Sequence, residues 1–214
     1  MSFLEFLIKR ADDMLEMGIG HAAVVGISVL LATVLGVALG VLTHRNERAR
    51  DFTLAVSGAM LTIPSFALFI LLLGPLGLGA KPVIVALTMY GLMPIIRNTV
   101  AGLNGVDPAV TESARGMGLT RMQRLLRVEL PLAWPVIITG VRVTTLSLLG
   151  IAAIGSIVNG PGFGNFIFTG LARVGTPVAI NFVLAGALGV VILAILSDVL
   201  FHIVRRLTTS KGIR

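Results

Sequence analysis

Long apolar stretches separated by short polar segments dominate the sequence. The first of them, 19–42, contains no Asp, Glu, Lys or Arg. A helix rises 1.5 Å per residue, so about 20 apolar residues are needed to cross a hydrocarbon core of about 30 Å. Further apolar stretches of sufficient length are 52–80, 82–103, 130–158 and 177–207. The pattern predicts an all-α membrane protein with about five transmembrane helices.

Helix-breaking residues interrupt this pattern at two places. Pro64 lies inside the stretch 52–80, and a proline removes a backbone hydrogen bond and kinks a helix. Gly160, Gly162 and Gly164 follow the stretch 130–158. This glycine-rich run has no preceding strand and no following Gly-Lys-Ser/Thr, so it is not a phosphate-binding loop. We interpret it as a re-entrant segment whose backbone is covered by protein or water.

The composition agrees with a membrane protein and excludes several other classes. Hydrophobic residues make up 56% and charged residues 13% of the 214 residues, whereas a soluble domain carries roughly 25% charge. Because the sequence has no cysteine, a disulfide framework, a thiolate metal site and a cysteine nucleophile are excluded. Carboxylates and histidines do not cluster at ligand spacing. We therefore expect no catalytic residue, no metal site and no cofactor in this chain.

The net charge of +7 reflects where the basic residues lie. The segments between spans carry eleven Lys and Arg on one side of the membrane and four on the other. Since inner loops collect basic residues, this bias predicts an outside N-terminus, a cytoplasmic loop at 104–131 and a cytoplasmic tail at 208–214. No soluble stretch is long enough for a nucleic-acid-binding fold, so we expect no nucleic-acid partner.

The first 18 residues differ from the spans that follow. They mix apolar side chains with basic and acidic ones, unlike the basic start and short apolar core of a signal peptide. We predict that 1–18 is a short amphipathic helix on the outer membrane interface. The membrane domain is then 19–207.

Three charged residues, Arg97, Arg142 and Asp198, fall at or near membrane depth. A charge is costly there and often functional. All three lie toward the cytoplasmic ends of their spans, so we favour a structural Arg–Asp pair or snorkelling of the side chains to the interface.

The polar segment 104–131 contains clear signals for helix starts and ends. Asp107, followed by proline, is a good N-cap, and Gly118 can adopt the left-handed conformation that ends a helix. Thr120 and Gln123 have the spacing of a capping box for a second helix. The segment therefore predicts two short helices, of which the second carries a basic stripe: Arg121, Arg124 and Arg127.

This segment resembles the EAA motif of ABC-importer permeases, EAA-x3-G-x9-I-x-LP. Glu112, Ala114, Gly118, Leu130 and Pro131 match it, and two positions depart conservatively, Ser113 for Ala and Val128 for Ile. The resemblance implies the type I importer fold, in which a permease dimer forms the pathway and this loop docks as a coupling helix on a cytoplasmic ATPase. It also implies that ATP and Mg²⁺ bind to the ATPase, and that an extracytoplasmic binding protein delivers the substrate. The basic stripe would contact either acidic ATPase surface or lipid headgroups.

Other stretches are similar to the osmoprotectant branch of these permeases. They are Thr62–Phe69 (TIPSFALF), Ile84–Tyr90 (IVALTMY), Leu92–Thr99 (LMPIIRNT), 115–118 (RGMG) and Gly160–Gly164 (GPGFG). The likeness covers roughly 20–205 and implies a substrate such as glycine betaine, choline or carnitine. On this interpretation we predict that the pathway residues are Pro64, Phe66, Phe69, Tyr90, Gly160, Gly162 and Gly164.

Two alternatives remain at this point. One is an ABC permease for an amino acid or another small zwitterion, and the other is an ATP-independent carrier. A carrier has no need of an EAA pattern, and five spans without an inverted repeat are few for one. Quaternary ammonium groups usually bind in aromatic cages, and the sequence has one Trp and one Tyr. This suits a conduit whose selectivity comes from a separate receptor.

Overall fold

A computed structural model describes residues 2–208 of the chain. Within that range it contains helices and no strands. The α-helices are α1 (Phe3–Lys9), α2 (Ala11–Thr43), α3 (Glu47–Thr62), α4 (Ser65–Leu76), α5 (Ala80–Asn104), α6 (Pro108–Gly116), α7 (Arg121–Arg124), α8 (Leu130–Ile154), α9 (Gly164–Leu171) and α10 (Ala179–Thr208). A π-helical turn, Leu125–Glu129, joins α7 to α8, and a 3₁₀ turn, Gly155–Val158, follows α8.

Among the described residues, four helical segments are long and apolar enough to cross a membrane. They are Ala11–Thr43, Ala80–Asn104, Arg121–Val158 and Ala179–Thr208. The predicted span over 52–80 is instead two helices, α3 and α4, bent by 96° at the break before Ser65. The span count is therefore four, or five if this bent pair crosses as one broken span. Pro64 marks the break as predicted, because it has no N–H to continue the helix.

Helix α5 lies between α2 and α8 at the centre of the fold, and small residues allow the close approach. A Cβ added at Gly36 of α2 would lie 2.8 Å from Ile95 Cγ2, and one at Gly40 would lie 2.7 Å from Thr99 Cβ. On the other side of α5, a Cβ at Gly140 of α8 would lie 2.5 Å from Asn98 Cβ. Small-residue contacts of this kind let membrane helices pack backbone to backbone.

The boundary between the short N-terminal helix and the first span differs from the predicted one. The helix of the first span begins at Ala11 rather than Ile19, and only α1 is a separate short helix. Phe6 of α1 is 1% exposed and packs edge-on against Phe166 and Phe182 at ring-centroid distances of 6.3 and 4.8 Å. The apolar side of α1 is thus anchored partly on protein, because aromatic rings on α9 and α10 offer it a packed surface.

The glycine-rich turn 159–163 links the 3₁₀ turn to α9 and is closely packed. Asn159 has φ +57 and Gly162 has φ +136, so the chain reverses direction here. A Cβ at Gly164 would lie 1.9 Å from the Ala153 carbonyl oxygen, which only glycine avoids. The turn therefore lies directly against the end of α8. The predicted cytoplasmic tail falls outside the described residues from 209 onward.

Candidate coupling site

The segment 107–118 folds as the sequence predicts. Asp107 caps α6 by accepting a hydrogen bond from the Ala109 amide at 2.8 Å, with Pro108 in the first helical position. Gly118 has φ +81, and the next amide, that of Leu119, donates to the Ala114 carbonyl at 3.2 Å. The left-handed residue thus satisfies a free carbonyl at the end of the helix. The N-cap and the glycine stop are both confirmed.

The second predicted helix starts at the predicted place but does not end there. Thr120 and Gln123 form the capping box, with contacts of 3.3 and 2.9 Å. The helix then continues through the π-helical turn into α8, so the prediction of a separate second helix is wrong. In the wide turn the Leu130 amide donates to the Leu125 carbonyl, five residues back. This spacing lets the chain pass Pro131, which lacks an N–H and crowds the preceding turn, without ending the helix.

A buried carboxylate, that of Glu129, organises the base of this segment. Glu129 is 5% exposed. Its Oε1 accepts hydrogen bonds from Arg124 Nε at 2.8 Å and from Arg45 Nη2 at 2.9 Å, and its Oε2 accepts a second from Arg45 at 3.0 Å. Arg45 belongs to the turn between α2 and α3. A carboxylate with these charge-assisted bonds ties the turn between α2 and α3 to the start of α8.

Glu129 is not among the predicted site residues, and Arg124 does not lie on the predicted outward surface. Glu129 occupies an unspecified position of the EAA pattern, and its only sequence signal is a single acid among nearby arginines. The Arg124 side chain is 15% exposed and bonded to Glu129, so it is not free to form an outward basic stripe. Arg121 and Arg127 are exposed. The prediction of a continuous outward stripe is wrong because the Arg124 guanidinium turns toward the buried Glu129 carboxylate and bonds it.

One of the predicted coupling residues, Glu112, lies at an open cleft of about 380 Å³. Glu112 lines it together with Arg115, Arg124 and Glu129. Glu112 is exposed, and its carboxylate makes no hydrogen bond to another residue within 2–208. Ala114 is 1% exposed, packed beneath α6. The remaining residues, Ser113, Gly118, Val128, Leu130 and Pro131, are exposed or half-buried along the same segment.

Apolar side chains also project from this polar segment. Met117 is 73% exposed, Met122 is 62% exposed and Leu126 is 57% exposed. These three side chains, which we call the apolar face, lie among arginines at the ends of α6 and α7 and in the π-helical turn. Exposed apolar groups rimmed by polar ones are typical of protein contact surfaces. Exposed apolar side chains of this kind can therefore support docking of another protein on this segment.

A family model described as "Binding-protein-dependent transport system inner membrane component" matches residues 32–210. The chain belongs to this family. It is 35% identical over 211 residues to the choline transport system permease protein OpuBB of Bacillus subtilis, covering 99% of this chain and 95% of that protein. It is 36% identical over 220 residues to the osmoprotectant import permease protein OsmW of Salmonella typhimurium, covering all of both.

The fold is also that of a solved transporter subunit. A chain from an inward-facing crystal structure of the MetNI methionine ABC transporter matches this permease with a TM-score of 0.80 and 22% sequence identity. The match covers 92% of the permease and 96% of that chain. A likeness at this identity shows the fold, which is the type I importer fold expected from the EAA pattern. The permease is thus a transport component, and binding-protein-dependent transport is the work of its family.

The predicted pathway residues of the permease fall into two groups. Pro64 and Phe66 are exposed at the break between α3 and α4. Phe69 is fully buried, and Tyr90 is 4% exposed and donates a hydrogen bond from its hydroxyl to the Ile63 carbonyl at 2.8 Å. Their burial gives no support to a pathway role for Phe69 and Tyr90. Instead, Tyr90 satisfies a carbonyl that the Pro64 break leaves free.

Gly160, Gly162 and Gly164 of the permease are buried by packing. A Cβ at Gly160 would lie 2.6 Å from Val83, and one at Gly162 would lie 2.6 Å from the His21 ring. Close contact with neighbouring helices accounts for these glycines, and their role in the pathway stays a prediction. Arg142 and Asp198 form an ion pair at 2.6 Å, each about two-fifths exposed, as the structural-pair interpretation predicted. Within residues 2–208 no group of three His, Asp or Glu could hold a metal ion.

Proposed function

We propose that this permease is the membrane subunit of an ATP-driven importer for osmoprotectants such as glycine betaine, choline or carnitine. The observation that carries the proposal is full-length similarity to permeases of that cargo class. A further relative, the glycine betaine/carnitine/choline transport system permease protein OpuCB of Bacillus subtilis, is 34% identical over 99% of this chain and 95% of its own. The amino-acid alternative is less well supported, because the likeness to the methionine transporter is confined to the fold.

The segment 104–131, which we call the coupling segment, is the proposed docking surface for a separate cytoplasmic ATPase. Glu112 and the apolar face stand free to contact it, while Glu129 holds the segment to the rest of the chain. A stiff, capped segment transmits a push from the ATPase better than a loose loop. ATP and Mg²⁺ would bind to the ATPase, and this chain would catalyse no bond chemistry. An ATP-independent carrier would have no use for the EAA pattern.

The remaining partners follow from the same proposal. A second permease subunit, identical or different, would complete the pathway, and a binding protein outside the cell would deliver the substrate. The charge bias supports a topology with the coupling segment in the cytoplasm, the N-terminus outside and the C-terminus inside the cytoplasmic membrane. This topology requires the bent α3–α4 pair to act as the fifth span. The helices outside the dimer contact would face lipid.

Uptake of labelled glycine betaine tests the proposal. The assay compares salt-stressed cells with and without this gene, in a strain that lacks other betaine transporters, and adds choline, carnitine or methionine as competitors. We expect gene-dependent uptake that choline or carnitine reduces and methionine does not. Gene-dependent uptake blocked by methionine alone would indicate that the cargo class is amino acids. The absence of gene-dependent uptake would refute the osmoprotectant assignment.

A further inference from the structure

A buried histidine far from the coupling segment links three parts of the fold. His21 of α2 is 0% exposed. Its Nε2 lies 3.0 Å from the Leu149 carbonyl oxygen of α8, and its Nδ1 lies 3.3 Å from the Phe163 amide nitrogen in the glycine-rich turn. A carbonyl can only accept and an amide N–H can only donate. The two contacts together therefore require the neutral imidazole with its proton on Nε2.

Glycine residues let the backbone around His21 approach the imidazole ring closely. A Cβ added at Gly162 would lie 2.6 Å from His21 Nδ1, and one added at Gly20 would lie 2.9 Å from Pro161 Cβ. Phe163 then inserts its ring between helices, since a Cβ at Gly189 of α10 would lie 2.4 Å from it. Glycine at these positions is what allows the turn to approach α2 and α10 so closely.

We propose that His21 is a positioning residue for transport. By bonding Leu149 and Phe163 at once, it holds the glycine-rich turn in one place between α2 and α8, so that α9 and α10 follow the movement of the helices against which they pack. Its two bonds join segments 128 and 142 positions apart in the sequence. Without the imidazole, the Phe163 amide and its turn would lose their anchor. The importance of this anchor for uptake rests on the proposed transport function.

The first test measures the anchor without measuring transport. Hydrogen exchange is followed by mass spectrometry for the peptide that contains Phe163, in the full chain reconstituted with its ATPase. We expect His21→Leu, which keeps bulk but forms no hydrogen bond, to raise the exchange rate at least tenfold. His21→Gln, which offers one donor and one acceptor, should stay near wild type. His202→Leu on the exposed inner end of α10 is the matched control and should change nothing.

The second test measures uptake in the same variants. We expect His21→Leu to lose at least nine-tenths of the maximal uptake rate with little change in KM, and His21→Gln to retain at least half. The positioning role would be overturned if His21→Leu and His21→Gln lost uptake equally while hydrogen exchange at Phe163 stayed as slow as in wild type. Wild-type exchange in His21→Leu would also overturn it. If wild type itself transports no osmoprotectant, the proposed function fails while the exchange result still decides the role of His21.

A variant on the other side of the contact covers the case in which His21→Leu does not fold. Gly162→Ala places a Cβ where the His21 ring lies, so the ring must move while the imidazole is kept. We expect faster exchange at Phe163 in this variant too. Unchanged exchange in Gly162→Ala would show that the turn is held without the imidazole and would contradict the proposal.

Discussion

Arg45 donates two hydrogen bonds to the carboxylate of Glu129, at 2.9 and 3.0 Å, although the two residues are 84 positions apart. Arg45 follows the first long helix, and Glu129 stands at the base of the fourth apolar stretch. The pair therefore joins the turn between α2 and α3 to the proposed coupling segment. Any force applied to α6 and α7 reaches α2 through this contact as well as through the helix that continues into α8.

The first prediction concerns the stability that this contact provides. Replacing Glu129 by Gln leaves two arginines without their counter-charge, and bonds to charged groups contribute about 1.5–3 kcal/mol each. Arg45 is half exposed, which reduces its share. We expect Glu129→Gln to lower the apparent melting temperature of the purified permease by about 4–8 °C, measured by fluorescence scanning, and Arg45→Gln to lower it by less.

A double-mutant cycle separates the pair from its surroundings. Arg45→Gln combined with Glu129→Gln should be less destabilising than the sum of the two single changes, because the same bonds are lost twice in that sum. Arg48→Gln, an exposed arginine on α3, is the matched control and should leave the melting temperature unchanged. Strict additivity would show that Arg45 and Glu129 do not interact.

The second prediction concerns the end of α6. Gly118 has φ +81 and open space at its Cβ position, so a side chain there meets backbone strain rather than a clash. A β-branched residue at such φ is a strong outlier, and the strain is about 1–3 kcal/mol. We expect Gly118→Val to abolish uptake while membrane insertion, measured by immunoblotting of membrane fractions, stays normal.

Gly116 provides the control for this change. It also has open space at its Cβ position but has a helical backbone. Gly116→Val should therefore insert and keep much of the uptake activity. Wild-type uptake in Gly118→Val would mean that the left-handed stop is not needed for coupling.

The third prediction tests the apolar face as the ATPase contact. A carboxylate placed among apolar contacts must be desolvated without a partner, which is unfavourable. We expect Met117→Asp and Met122→Asp to reduce co-purification of the ATPase at least several-fold. Val174→Asp is the control, because Val174 is 77% exposed and lies on the opposite side in the proposed topology. Undiminished ATPase recovery in both methionine variants would place the docking surface elsewhere.

The fourth prediction concerns the break between α3 and α4. Tyr90→Phe removes the hydroxyl that bonds the Ile63 carbonyl and leaves that carbonyl without this donor, which costs about 1–3 kcal/mol. We expect a lower melting temperature and reduced uptake. Thr139→Ala on α8 is the control, because its hydroxyl bonds a carbonyl of its own helix, that of Pro135. Equal stability of Tyr90→Phe and wild type would show that the break is held by other contacts.

Much of the fold could be predicted because its signals are local. The length of the apolar stretches identifies the spans, and a cap or a stop requires only residues within one turn, as Asp107, Gly118, Thr120 and Gln123 demonstrate. The EAA pattern is also local, and it was sufficient to predict the family. Even the break at Pro64 follows from the missing N–H of one residue.

Contacts between helices required the tertiary structure. The Pro64 position indicates a break, but the 96° bend of α3 against α4 depends on the surface of α5 beneath them. Nothing in the sequence indicates whether Phe69 and Tyr90 face a pathway or the core. Arg124 and Glu129 meet Arg45, and His21 meets Leu149 and Phe163, only because distant segments are brought together. The sequence by itself determined four of the spans, the caps and the family. Which distant side chains contact each other depended on long-range packing, which no local pattern encodes.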